Sequence, residues 1–150
     1  KSLVNSGEDL IILCEGDPFF YGSFMHIFDR LQSDCRVEII PGISGMSGAW
    51  TATRKPITWG DDILTILVGT MPENELSARL SNTDAAVIMK VGRNIEKIKR
   101  ALNSCGRYEQ AYLVEYATMK SQLVSRLTDY LAASAPYFSI IVLHGEGRRP

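Results

Sequence analysis

Long apolar runs are missing from this 150-residue chain: its apolar stretches, such as 10–14 and 138–143, fall far short of the ~20 residues that a membrane-spanning helix requires. Cysteine is sparse. Cys14, Cys35 and Cys105 lie far apart, which fits neither a disulfide framework nor a metal-ligand spacing and points to a reducing compartment. Histidine is sparser still, and neither His26 nor His144 has a Cys or Asp partner at ligand spacing, so no metal is expected and both rings are expected at the surface. The chain also lacks an excess of charge. Sixteen Lys and Arg oppose seventeen Asp and Glu, leaving a formal charge of −1, which disfavours a nucleic-acid or anionic-membrane partner. No secretory leader opens the sequence, which starts at Lys1-Ser2-Leu3 without a methionine. These features read as a cytoplasmic, soluble protein met part-way along a longer chain.

What is present is enough to bury a core: 45% of residues are hydrophobic and 22% charged, values usual for globular proteins. Short apolar runs recur, each followed by a turn and then by helical spacing. Buried strands are expected at 10–14, with Cys14 an interior thiol, and at 37–40. A helix with one apolar face is expected over about 21–31, carried by Phe24, Ile27, Phe28 and Leu31, and Ser44 is placed to cap a small-residue helix after it. The rhythm then gives a strand at 63–68, a helix at 73–80, a strand at 85–89, a helix at 95–102, and strands at 111–114 and 137–143. Such alternation implies an α/β fold with parallel or mixed sheets. The stretch around Arg54-Lys55-Pro56 marks the expected boundary between a lobe at 1–56 and a second at 57–150.

In open α/β sheets ligands bind beyond the carboxyl ends of strands. Two segments have that character. In Cys14-Glu15-Gly16-Asp17-Pro18-Phe19-Phe20, Gly16 permits close backbone approach and Asp17 offers a carboxylate to a ribose hydroxyl or a cation; a capped turn over buried phenylalanines accounts for the same residues. In Pro41-Gly42-Ile43-Ser44-Gly45 the glycines let a helix end approach a ligand, although helix packing through small residues explains them too. The Gly-Lys-Ser ending of a phosphate loop is absent, and the Gly-x-Ser-x-Gly order occurs only in broken form around Ser47, which excludes hydrolase chemistry. Lys90 and Arg93 precede a basic helix and stand where an anionic substrate would be met.

Taken together, Cys-Glu-Gly-Asp-Pro-Phe-Phe-Tyr-Gly-Ser-Phe at 14–24, Val-Glu-Ile-Ile-Pro-Gly-Ile-Ser at 37–44, Ile-Met-Lys-Val-Gly-Arg-Asn at 88–94, Val-Glu-Tyr-Ala-Thr-Met at 114–119 and Ala-Pro-Tyr-Phe-Ser-Ile-Ile at 135–141 resemble the tetrapyrrole methylases. The resemblance covers nearly the whole chain, but the Gly-x-Gly-Pro-Gly-Asp loop with which family members begin is not found. It therefore implies a two-lobed α/β fold whose first lobe is incomplete, and an isolated chain that is inactive and self-associating. S-adenosylmethionine is the implied cofactor, lying between the lobes against Glu15, Gly16, Asp17 and Phe20, against Ser44 and Gly45, and against Ala117 and Thr118. Lys90 and Val91 match a further contact position. Tyr21 and Arg93 are implied on the substrate side, with Lys55 and Arg54 available to a carboxylate-rich substrate. The implied substrate is the tetrapyrrole precorrin-2, methylated at C20 by a homodimer. A cobalt-containing substrate, a sibling ring methylase and a non-catalytic assembly fragment remain alternatives. No side chain is identified as a base, since an activated methyl donor and an electron-rich carbon need mainly alignment.

Overall fold

Ala85-Ala86-Val87-Ile88-Met89 offers no polar side to water, so such a run belongs inside a sheet covered on both faces. In the computed structural model, which describes residues 6–147, it is the second of five strands: β1 (Leu64–Val68), β2 (Ala85–Met89), β3 (Tyr112–Glu115), β4 (Leu123–Arg126) and β5 (Ser139–Leu143). Their order in the sheet is β1-β2-β5-β3-β4. β1 runs parallel to β2, with Leu64 opposite Ala85. β5 is antiparallel to both β2 and β3, pairing Val87 with Val142 and Leu113 with Ile141, and β4 closes the edge as an antiparallel hairpin with β3. The sheet is therefore mixed, as the alternation of elements implies.

Among the described residues these strands are accompanied by α1 (Phe24–Leu31), α2 (Gly45–Ala52), α3 (Glu73–Ser81) and α4 (Ile95–Ser104). Alternate residues along a strand face opposite sides, and the two core clusters obey this. Leu67, Ala86, Ile88, Leu113, Ile141 and Leu143 pack with Leu76 and Leu80 of α3 and with Ile95, Ile98, Ala101 and Leu102 of α4. Val114 and Val142 turn to the other face and meet Ala49 of α2, with Trp50, Ala52 and Ile57 alongside. α3 starts on Pro72, has Glu73 and Glu75 in its first turn and Arg79 in its last, the charge order favoured by the helix dipole. Its carboxyl end is held by Arg107, whose guanidinium donates to the carbonyls of Leu80 at 3.2 Å, Thr83 at 2.6 Å and Asp84 at 2.7 Å.

The chain divides into two units, one up to Gly45 and one from Met46, with α2 beginning at the last residue of the first. The stretch expected to separate the lobes is held inside the second unit: the Gly145 amide donates to the Ile57 carbonyl at 2.9 Å. His144 is locked there as well, rather than lying free at the surface. Its Nδ1 donates to the Pro56 carbonyl at 2.8 Å, its Nε2 lies 2.9 Å from the Thr53 hydroxyl, and its ring stands edge-on to Tyr112. His26 is exposed, as expected.

In the first unit α1 carries an aromatic cluster, with Phe19 edge-on to Phe28 at 4.8 Å and stacked on Phe24 at 6.1 Å. Several sequence expectations are corrected in this unit. Residues 10–14 and 37–40 form no strand; Ile11, Leu13 and Ile40 are largely exposed, and the Cys14 thiol is exposed rather than interior. An apolar run becomes a strand only when a neighbouring strand satisfies its backbone, and no described residue pairs with either segment. The helix also starts at Phe24 rather than near Tyr21, because 18–22 is spent on a turn in which Tyr21 has φ 53°.

Two outcomes are expected. Replacing Arg107 with Met frees three carbonyls, and urea denaturation should show a loss of about 2–3 kcal/mol, the cost of removing hydrogen bonds from a charged donor. Burial, opposed by the Pro56 bond and aided by Lys55, holds the His144 imidazole below its ordinary value of 6.5. The unfolded chain then takes up this proton first as pH falls, so stability should decline below about pH 6.5 and level off beneath the folded value. Denaturation of His144→Gln beside the parent between pH 8 and 5 should show this component of the slope removed.

Candidate functional site

β1, β2 and β3 all run the same way, since β5 is antiparallel to the latter two. Their carboxyl ends therefore share one edge of the sheet, and so do the segments that follow them, 69–72, 90–94 and 116–122. This is the edge at which α/β sheets hold ligands. Backbone strain collects there. Lys90 has φ 54°, Tyr116 51° and Thr118 67°, left-handed conformations that cost about 1–3 kcal/mol each and that are worst for a β-branched residue such as threonine.

The surroundings hold these turns in place. After β2 the Lys90 carbonyl accepts from Asn94 Nδ2 at 3.0 Å, and the Asn94 amide donates to Val91 at 2.7 Å. After β3 the Tyr116 amide donates to Phe138 at 2.8 Å and the Thr118 amide to Gln122 Oε1 at 2.7 Å. α2 presses on the same turn through Gly48, where an added Cβ would lie 2.8 Å from the Thr118 methyl. Ala117, partly buried, packs with Ala49 on the α2 face.

In the first unit two loops cross at backbone contact. Gly16 has φ 76°, and an added Cβ on Gly42 would stand 2.1 Å from the Gly16 carbonyl oxygen, so only glycine fits at the crossing. Asp17 ties the loops together: one carboxylate oxygen accepts from the Phe19 amide at 2.9 Å and the other from the Gly42 amide at 3.1 Å. The carboxylate expected to face a ligand is thus first of all a brace. Gly45 and Ser44 follow the crossing directly, with an added Cβ on Gly16 3.7 Å from the Gly45 nitrogen. Glu15 is exposed, and Phe20 stands edge-on to Tyr21 at 5.0 Å.

The residues expected to act together thus fall into two groups. Glu15, Gly16, Asp17, Phe20, Tyr21, Ser44 and Gly45 belong to the first unit, and Lys90, Val91, Arg93, Ala117 and Thr118 to the sheet edge of the second. Lys90 and Arg93 are exposed. Val91 is completely buried in the α3–α4 core, so only its backbone can face a ligand. Tyr116, with its positive φ, was not singled out in the sequence; an aromatic at such a position leaves no signature in composition.

Lys55 lies away from this edge. Its Nζ donates to the Tyr112 hydroxyl at 2.9 Å, and the Arg126 guanidinium stacks 4.4 Å from the same ring, beside His144 and at the amino end of β3. Among the described residues no group of His, Cys, Asp and Glu is arranged to hold a metal, and no helix is long and apolar enough to cross a membrane.

The model of the tetrapyrrole (corrin/porphyrin) methylases matches residues 1–130. The chain belongs to this family. It is 50% identical over 145 residues to a precorrin-2 C(20)-methyltransferase of Sinorhizobium, an alignment that takes in 97% of this chain and 59% of that protein. The chain thus spans about three fifths of that relative. Among solved structures, a cobalt precorrin-4 methyltransferase superposes with a TM-score of 0.76 at 19% identity, over 95% of this chain and 66% of the other. A uroporphyrin-III C-methyltransferase of Thermus thermophilus, complexed with S-adenosyl homocysteine, superposes with a TM-score of 0.62 at 18% identity, over 87% and 63%. These two share the fold. Tetrapyrrole methylases use S-adenosylmethionine, and the segments that carry the family likeness here include the strained and crossing loops just described.

The brace has a measurable consequence. Asp17→Ala leaves two amides without their acceptor, and exchange of the Phe19 and Gly42 amide protons should speed up roughly ten- to a hundredfold, the range corresponding to a lost hydrogen bond to a charged group.

Proposed function

We propose that the protein of which this chain is part is an S-adenosylmethionine-dependent C-methyltransferase that methylates C20 of precorrin-2 to give precorrin-3A. The observation that carries the reading is the 50% identity to a precorrin-2 C(20)-methyltransferase along 97% of the chain, which takes in all five family motifs. The metal-free substrate is preferred to its cobalt-containing counterpart on the same ground. The working form is proposed to be a cytoplasmic homodimer without nucleic-acid or membrane partners.

The loops suit a donor held by backbone. Where Gly16 and Gly42 cross there is no side chain, so a polar ligand can approach the backbone of these loops closely, with the Gly42 amide itself already taken by Asp17; Ser44 and Gly45 continue that surface into the start of α2. Ala117 and Thr118 are proposed to contact the adenosine through their backbone, as are Lys90 and Val91, for Val91 the sole possibility given its buried side chain. Tyr21 and Arg93 are proposed on the substrate side, where an exposed guanidinium recognises a carboxylate. When bound, S-adenosylmethionine supplies a sulfonium-activated methyl group. The chain's own contribution is then alignment and exclusion of water, which alone account for large rate effects.

The full-length protein incubated with precorrin-2 and methyl-labelled donor should give one new methyl group, located at C20 by NMR; a label elsewhere on the ring, or none, would reject the reading. A second outcome tests the loop crossing. Gly42→Ala should weaken S-adenosyl homocysteine binding in calorimetry by at least roughly tenfold, equivalent to about 1.4 kcal/mol, with the circular dichroism spectrum unchanged.

A further inference from the structure

Glu115 ends β3 and is buried, at 9% exposure, although carboxylates are rarely placed so without a cation. Among the described residues it forms no ion pair, and its hydrogen-bonding partner is the Tyr130 hydroxyl, 3.5 Å from Oε1. Ser139 stands directly across the ladder and is buried too, but its hydroxyl bonds to nothing. Among the described residues Tyr130 is thus the side chain that donates to this acid.

The same hydroxyl has a second acceptor, the Ser134 carbonyl at 3.1 Å. A phenol has one hydrogen, so the buried Glu115 and the exposed Ser134 carbonyl share it. Burial, and after it the charge of Glu115, raises the phenol above its usual value, so loss of that hydrogen moves further into the alkaline range. The rest of Tyr130 is pinned: Lys99 Nζ donates to its carbonyl at 2.7 Å and lies 5.8 Å from its ring centre. One residue beyond Ser134, the Ala135 amide donates to the Gly92 carbonyl at 3.1 Å, and further along Phe138 accepts from Tyr116. The crossover at 127–138 thus grips both strained loops, the one after β2 at Gly92 and the one after β3 at Glu115 and Tyr116, and the bonds from Tyr130 join those grips.

We propose that Tyr130 is a positioning residue that couples the loop at 90–94 to the turn at 116–118, fixing both for the methyl donor. The proposal rests on the reading of these segments as donor contacts. Losing the hydroxyl leaves the fold's apolar core intact but lets the two loops settle independently, so donor binding weakens while the alignment of an already bound donor changes less. That pattern appears as a raised KM with kcat nearly retained.

The test uses the full-length enzyme, with S-adenosyl homocysteine as calorimetric probe and S-adenosylmethionine in turnover. Tyr130→Phe should raise the dissociation constant and the KM for the donor roughly tenfold, with kcat within about threefold, on the scale of one hydrogen bond. Tyr108→Phe is the control, because its hydroxyl also donates into the crossover, to Leu127 at 3.3 Å, but touches neither loop; it should leave both constants unchanged even where it lowers the melting temperature as much. Glu115→Gln, which keeps an acceptor for the phenol, should bind within about threefold of the parent, whereas Glu115→Ala should match Tyr130→Phe and stands in for it if that variant aggregates. A dissociation constant for Tyr130→Phe within twofold of the parent, or an equal weakening in Tyr108→Phe, overturns the proposal. A parent enzyme that binds no S-adenosyl homocysteine overturns the reading beneath it instead.

Discussion

Everything in the second unit hangs on β5. It is the strand that joins the parallel pair β1–β2 to the hairpin β3–β4, and Ile141, Val142 and Leu143 are buried on both faces, so nothing about them can change without disturbing α2 on one side or α3 and α4 on the other. Because it is antiparallel to both neighbours, β2 and β3 must point the same way. That one topological fact brings the ends of three strands to a common edge, and with them, among the described residues, the strained turns of the unit apart from the one at Arg54. The entry to β5 also receives the crossover from β4, which makes this edge the place where a tether could reach two loops together.

The cost of holding such an edge is visible in its backbone. Three non-glycine residues in left-handed conformations, each opposed by about 1–3 kcal/mol, persist only because hydrogen bonds over-determine them: Asn94 on Lys90, Phe138 on Tyr116, Gln122 on Thr118. In the first unit the corresponding device is steric rather than torsional. Gly42 fits against the Gly16 carbonyl because it has no Cβ, and Asp17 holds the crossing with an ionised acceptor, a stronger clasp than a neutral one.

Periodicity made the second unit legible. The helix expected at 73–80 is Glu73–Ser81, the strand at 85–89 is Ala85–Met89, and the helix at 95–102 is Ile95–Ser104, because each element buries one stripe or both faces in a continuous core and its sequence pattern states as much. β4 was illegible for the opposite reason. Leu123 and Val124 are exposed at the sheet edge, so Leu-Val-Ser-Arg has no pattern to separate it from the loop, and its strand character comes entirely from pairing with β3. The apolar runs at 10–14 and 37–40 show the converse: hydrophobicity predicts burial there, but a strand is a relation between two segments and neither finds a partner among the described residues. Asp17 and His144 were read by residue type, which says what a side chain can do and not which backbone groups will occupy it first.

The candidate site was readable through motifs rather than through chemistry, and the chemistry explains why. A reaction between an activated methyl group and an electron-rich carbon asks for distance and angle, which a protein supplies through backbone geometry. Residues that set backbone geometry are glycines at close approaches, left-handed turns and the hydrogen bonds that hold them, and none of these forms a constellation like a nucleophile with its base. Among the described residues no group of His, Cys, Asp and Glu is arranged to hold a metal, while the loops themselves carry the family likeness. The same argument locates the useful side chains one layer back. Asp17, Asn94, Gln122 and Tyr130 bond to backbone or to a strand end, and through those bonds each sets loop geometry without presenting a reactive group.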